Sequence, residues 1–190
     1  VYALDCASSE YYDAEKGLYR WRGDYVDRDF IIDQLAAISR KYPLAFVEDA
    51  LQEEDFEGFK LASERINTVI VGDDFLCTSL DRAEKAVSMG AARGMIFKPN
   101  QAGTLTEALR TAKFMMDRGL LVIPSGRAGG TLDSPEKEIA VALGAWVTKT
   151  GAPRSGSRTN GFNFLLRTSE ELGVPQTDVM QLEIFKHLHR

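Results

Sequence analysis

The chain has 190 residues, 44% hydrophobic and 27% charged, with a formal net charge of -5, 16 Gly and 6 Pro. That is the length of one domain or a large piece of one, too apolar for a disordered chain and lacking the composition of a fibrous one. The acidic balance argues against a general nucleic-acid or anionic-membrane binder, and no apolar run approaches the roughly 18 residues of a membrane span. Cys6 and Cys77 make neither a disulfide framework nor a paired zinc motif, and no signal peptide is visible, so a reducing cytoplasmic compartment is expected. The chain opens on Val1-Tyr2-Ala3-Leu4-Asp5 rather than Met, which reads as the interior of a longer protein.

Val1–Leu4 is the first predicted strand. The aromatic group after it (Tyr11, Tyr12, Tyr19, Trp21, Tyr25) has no basic patch beside it and is read as packing. Ile31, Leu35 and Ile38 mark a helix. Leu44–Val47 and Thr68–Val71 are the next two strands, and Ser79 precedes a helical stripe of Leu80, Ala83 and Val87. Gly94–Phe97 is the fourth strand. Thr104 and Glu107 then form a capping box, opening a helix whose stripe of Leu105, Ala108, Leu109, Ala112, Met115 and Met116 is expected in the core. Leu120–Ile123 is the fifth strand, Asp133, Ser134 and Pro135 start a helix, and Ala145–Thr148 is the sixth strand. The last helix carries Phe162, Leu165, Leu166 and Leu172 and is stopped by Gly173 and Pro175. Residues 1–173 are therefore expected to form the domain, with 174–190 a solvated tail holding His187 and His189.

Strands alternating with helices through short connections imply a parallel α/β architecture of six βα units. Six strands suit a doubly wound sheet, whereas a complete βα barrel takes eight and roughly 250 residues. Periodicity does not choose between an open sheet and an incomplete barrel.

The strand ends are more informative. They fall on Asp5, Glu48, Asp73, Lys98 and Lys149, the last three at intervals of 25, 25 and 51 residues, one or two βα units each. In a βα barrel all five positions lie on the C-terminal rim, where the chemistry sits. Three carboxylates without His or Cys suit a hard, oxygen-seeking cation, so Mg²⁺ is expected and zinc is not. Asp49 and Asp74 adjoin two of them, and strand alternation sends one of each pair away from the site. Two lysines facing such a centre divide the labour: one with a lowered pKa serves as a base, and the other stays charged to hold an anionic oxygen. Inside the longest interval lies Ser125-Gly126-Arg127-Ala128-Gly129-Gly130, a glycine-rich loop offering amides and a guanidinium to a phosphate or carboxylate.

Five segments carry a resemblance: Ala3-Leu4-Asp5-Cys6-Ala7-Ser8-Ser9-Glu10, Val47-Glu48-Asp49, Gly72-Asp73-Asp74, Lys98-Pro99-Asn100-Gln101-Ala102-Gly103-Thr104 and Lys149-Thr150-Gly151-Ala152-Pro153. In this order and near this spacing they resemble enolase, phosphopyruvate hydratase, over Val1 to about Gly173. The resemblance implies the C-terminal six βα units of an enolase-type TIM-like barrel, incomplete in this chain. It implies Mg²⁺-dependent interconversion of 2-phosphoglycerate and phosphoenolpyruvate, with Asp5, Glu48 and Asp73 as metal ligands and Lys98 as the base. Lys149 would hold the substrate carboxylate, and Arg127, with its neighbours Gly126 and Ala128, the phosphate. A lysine base beside one or two Mg²⁺ is the general arrangement of enolase-superfamily sites. An N-terminal domain carrying a glutamate general acid and a mobile loop is expected upstream, and a homodimer is the family's common assembly.

The chain departs from the family where enolases read Ser-His-Arg-Ser-Gly-Glu: an imidazole and a hydroxyl near the substrate are replaced by Gly126 and Ala128. Ala50 also replaces a proline after Glu48-Asp49, and the segment after Gly151-Ala152-Pro153 is rearranged to Arg154-Ser155-Gly156-Ser157-Arg158. Besides the lyase, two readings stay open: a catalytically impaired enolase-like structural or binding protein, and a related proton abstraction on another carboxylate.

Overall fold

In the computed structural model, which describes residues 1–127, 129–132, 134–174 and 178–189, the expected strands pair in parallel. β1 (Tyr2–Asp5), β5 (Leu44–Glu48), β6 (Val69–Gly72), β7 (Gly94–Phe97) and β8 (Leu121–Pro124) form one sheet in that order. Each boundary lies within a residue of its predicted position, because buried parallel strands are continuous apolar runs and their ends are abrupt. The sixth predicted strand, Ala145–Thr148, is not formed: the segment meets β8 only through an isolated parallel bridge between Ser125 and Lys149. With a neighbour on one side only, a single amide bond, Lys149 N–H to the Pro124 carbonyl at 2.9 Å, stands for the ladder. The sheet is thus five strands and a bridge, part of a barrel wall.

Six helices follow the strands. α1 (Arg28–Lys41), α2 (Phe56–Arg65), α3 (Leu80–Met89) and α4 (Leu105–Met116) are each capped by a side chain that accepts a first-turn amide: Asp27, Asp55, Ser79 and Thr104. The capping box takes a variant form, with the Glu107 carboxylate accepting the Thr104 hydroxyl at 2.8 Å. α5 (Glu136–Ala142) and α6 (Gly156–Leu172) complete the series. Asp133 and Pro175 lie outside the described residues.

Two of the expected stripes are not core throughout. On α4, Ala108, Ala112 and Met115 are buried, but Leu105 and Leu109 are exposed. α6 buries no residue, and Phe162, Leu166 and Leu172 face solvent. Its main contact among the described residues is with α5, and none of its residues is buried there.

The aromatic segment after β1 forms a small antiparallel sheet of β2 (Tyr12–Asp13), β3 (Leu18–Trp21) and β4 (Asp24–Val26). Arg22 and Gly23 close its second hairpin, both with positive φ (51° and 97°) as a primed two-residue turn requires. Its aromatics pack in part: Tyr19 is buried, lies 5.1 Å from Tyr12, and its hydroxyl accepts the Gln52 amide, whereas Tyr11 and Tyr25 are exposed.

The concave face of the sheet (Ala45, Val69, Val71, Ile96, Leu121, Ile123) is covered by Ile184 and Phe185 from the C-terminal segment. The expected solvated tail therefore folds back, and His187 sits 2.7 Å from the Leu44 carbonyl. Apolar Ile184 and Phe185 gain more from burial against an open barrel interior than from solvent.

Candidate active site

Parallel register carries the ionisable residues to one rim. Asp5 and Glu48 are register partners on adjacent strands, Asp73 directly follows β6, Lys98 directly follows β7, and Lys149 is the bridge residue beside β8. Asp5, Asp73, Lys98, Arg127 and Lys149 line one cleft of about 370 Å³.

Three ion pairs from two lysines organise it. Lys149 Nζ donates to Asp5 Oδ2 and to both oxygens of Glu48, each at 2.7 Å. Lys98 Nζ donates to Asp73 Oδ2, while Asp73 Oδ1 accepts from Gln101 Nε2 at 3.1 Å. Burial pushes the Glu48 pKa up to about 7 against the pull of the Lys149 hydrogen bond, with Asp5 and Asp73 adding to the rise. Burial opposes the Lys149 ammonium, but its bonds to Asp5 and Glu48 hold its pKa above the ordinary lysine value.

The three carboxylates predicted as metal ligands are shared out between the two ammonium groups and do not close to within 4.8 Å of one another. The carboxylates that do are Asp49, Asp73 and Asp74. Asp49 is already engaged by the backbone: it accepts the amides of Asp73 and Asp74 at 2.9 Å and of Phe75 at 3.4 Å. It thus builds the turn that presents Asp73. Burial pushes its pKa up to about 6, its amide donors working against that rise. Asp49 adopts φ +44°, which turns its side chain away from Lys149 toward the next strand end. The donor set still fits a hard cation: Asp5 and Glu48 converge on one positive centre, the Lys149 ammonium, and every donor is carboxylate oxygen.

Sequence reasoning missed a second supporting group. Thr78, fully buried with φ +51°, accepts the Lys98 amide at 3.0 Å and donates to Gln101 Oε1 at 2.8 Å. Gln101 in turn reaches Asp73, so one hydroxyl ties the Lys98 strand end to the metal-ligand candidate. Nothing in the sequence marks Thr78, since its role depends on a strained turn 20 residues from Lys98.

The loop residues divide. Arg127 is exposed at the cleft. Gly126 also lines it, but a Cβ there would stand 2.7 Å from Glu136 Oε1, so the side-chain space at this position belongs to a carboxylate from α5. Ala128 lies outside the described residues.

An incomplete parallel βα barrel with carboxylates and lysines on its C-terminal rim defines the class: a barrel of the kind that builds its site at the strand ends. The model of the family described as "Enolase, C-terminal TIM barrel domain" matches residues 1–179, and the chain belongs to this family. It is 42% identical over 175 residues to the protein named Enolase from Methanococcus maripaludis (strain C7), covering 92% of this chain and 41% of that protein. To Enolase from Methanopyrus kandleri it is 44% identical over 172 residues (90% and 40%). To Enolase from Thermococcus kodakarensis it is 40% identical over 174 residues (90% and 40%). The chain spans about two fifths of the length of these relatives.

Proposed function

We propose that this chain supplies the proton-abstracting half of a lyase that interconverts 2-phosphoglycerate and phosphoenolpyruvate. The observation that carries the reading is the meeting of Lys98, Lys149, Asp5 and Asp73 in one cleft, with Glu48 against Lys149. Relatives named Enolase support it.

Asp5, Glu48 and Asp73 would hold Mg²⁺, which when bound supplies positive charge for the extra negative charge of an ene-diolate. Lys98, released from Asp73, takes the proton from the carbon beside the carboxylate, and the electron pair moves into that carboxylate. Lys149 remains cationic and holds the carboxylate oxygen where charge accumulates. Arg127 holds the phosphate through its planar donors. The glutamate general acid, the closing loop and a homodimer partner are expected from the rest of the protein; the greater length of the relatives supports an N-terminal domain. Two unpaired cysteines fit a cytoplasmic setting.

The test is exchange of the substrate C2 proton with solvent deuterium in the full-length protein. Lys98→Ala should abolish exchange while leaving divalent-metal affinity within about threefold, because the base acts on carbon and not on the metal. Exchange at the wild-type rate would move the role to another residue.

A further inference from the structure

Lys137, the second residue of α5, has only 5% of its surface exposed, yet no carboxylate among the described residues stands within 4 Å of its ammonium. Among the described residues its one side-chain hydrogen bond goes to Thr148 Oγ1 at 3.2 Å, and that hydroxyl spends its own proton on the Pro124 carbonyl at 2.9 Å. A buried cation held by a single neutral acceptor is costly unless an anion completes it. The fold makes room for this arrangement: a Cβ on Gly161 of α6 would press within 3.3 Å of Lys137 Cε and 3.4 Å of Cγ. The preceding residue does not neutralise the ammonium. Glu136 turns its carboxylate against Gly126, and its Oε2 is buried with no hydrogen-bond partner among the described residues. Lys137 lines the same cleft as Lys98, Arg127 and Lys149.

We propose that Lys137 is a further ligand-binding residue of this cleft, its ammonium taking a phosphate oxygen of the bound ligand alongside Arg127. This rests on the reading of the cleft as a phosphorylated-carboxylate site and adds a cation to it. Phosphate is the better partner than the ligand's carboxylate, because Lys149 already serves that end of the cleft from beside Asp5 and Glu48. Lys137 meets Thr148 and the end of β8, from which the Ser125–Arg127 loop departs. Burial lowers the Lys137 pKa, while Glu136 and Glu138 on its own helix raise it; an anion seated on Nζ would favour the charged form further.

The experiment is calorimetric titration of the full-length protein with inorganic phosphate. Lys137→Met should weaken binding by at least about tenfold, and Lys137→Arg should keep it within about threefold, as expected for loss or retention of a charge-assisted bond. With 2-phosphoglycerate, Lys137→Met should raise KM while kcat stays near the wild-type value, the pattern of lost ligand binding rather than lost chemistry. In the unsubstituted protein, saturating phosphate should shift the NMR signal of the Lys137 ε-methylene and leave that of exposed Lys113 unchanged, a readout independent of how the variants fold. Unchanged phosphate affinity in Lys137→Met, or an unshifted Lys137 signal, overturns the assignment. Loss of phosphate binding in Lys137→Met, in a protein that does not turn over 2-phosphoglycerate, would leave Lys137 as an anion site and reject the lyase reading alone.

Discussion

Returning an imidazole to position 126 should push the Glu136 carboxylate aside. The backbone of Gly126 does not require glycine, since it lies outside the left-handed region; the obstacle is the carboxylate, 2.7 Å from the new Cβ at Oε1 and 3.3 Å at Cδ. Gly126→His must displace Glu136 from a position where one oxygen is buried with no hydrogen-bond partner among the described residues, so part of the cost returns as solvation. The displaced atoms are the end of a flexible side chain, which puts the cost at the low end of overpacking, about 1 kcal/mol. Glu136→Ala removes the obstacle, so urea unfolding of the four proteins of the cycle should show a favourable coupling of about 0.5–1 kcal/mol. Activity should follow the same logic. One restored hydrogen bond to a charged substrate group is worth about 1.5–3 kcal/mol, or roughly 10- to 10²-fold in kcat/KM on 2-phosphoglycerate. That gain should be larger in Gly126→His/Glu136→Ala than in Gly126→His alone. Additive stabilities, or equal gains in the single and double variants, would refute the idea that Glu136 owns the side-chain space at position 126.

Asp49→Ala strands three amides of the turn that carries Asp73 and should destabilise the protein by about 2–3 kcal/mol in urea unfolding, the cost of burying its carboxylate offsetting part of the loss; an unchanged midpoint would remove Asp49 from that role. Asp73→Ala should weaken Mn²⁺ or Mg²⁺ binding at least about tenfold by calorimetry, and undiminished affinity would take Asp73 out of the metal site. Without added metal, Glu48 holds its proton up to about pH 7 in the folded chain but only to about 4.5 when unfolded, so its contribution is full below 4.5 and is lost as pH rises through 7. The change is on the order of 3 kcal/mol. The wild-type minus Glu48→Gln stability difference should therefore fall across this window, and a flat difference would contradict the buried, proton-retaining Glu48.

Local sequence determined the parts that depend on local physics. The continuous apolar runs of β1, β5, β6, β7 and β8 and the caps Ser79 and Thr104 are legible because a buried parallel strand and a helix start each leave a short-range signature. The charged strand ends were legible for the same reason, since parallel strands with helical crossovers place successive C-terminal ends on one rim. The Arg22–Gly23 hairpin is equally local, its two positive φ angles set by the turn itself.

Tertiary structure decided everything that depends on what lies opposite. Ala145–Thr148 has the residues of a strand, but a ladder needs a partner, and here one amide found one. Phe162, Leu166 and Leu172 have helical spacing, but spacing says only that a face is apolar, not that anything covers it. Ile184 and Phe185 read as a tail until the open concave face of the sheet supplied a surface to bury them. At the site, the types of Asp49, Thr78, Glu136 and Lys137 were visible, while their roles came from groups 20 to 30 residues away or from the glycines that admit them. A residue's chemistry belongs to its side chain. Its burial, its partner and the work it does are set by neighbours that only the folded chain brings near.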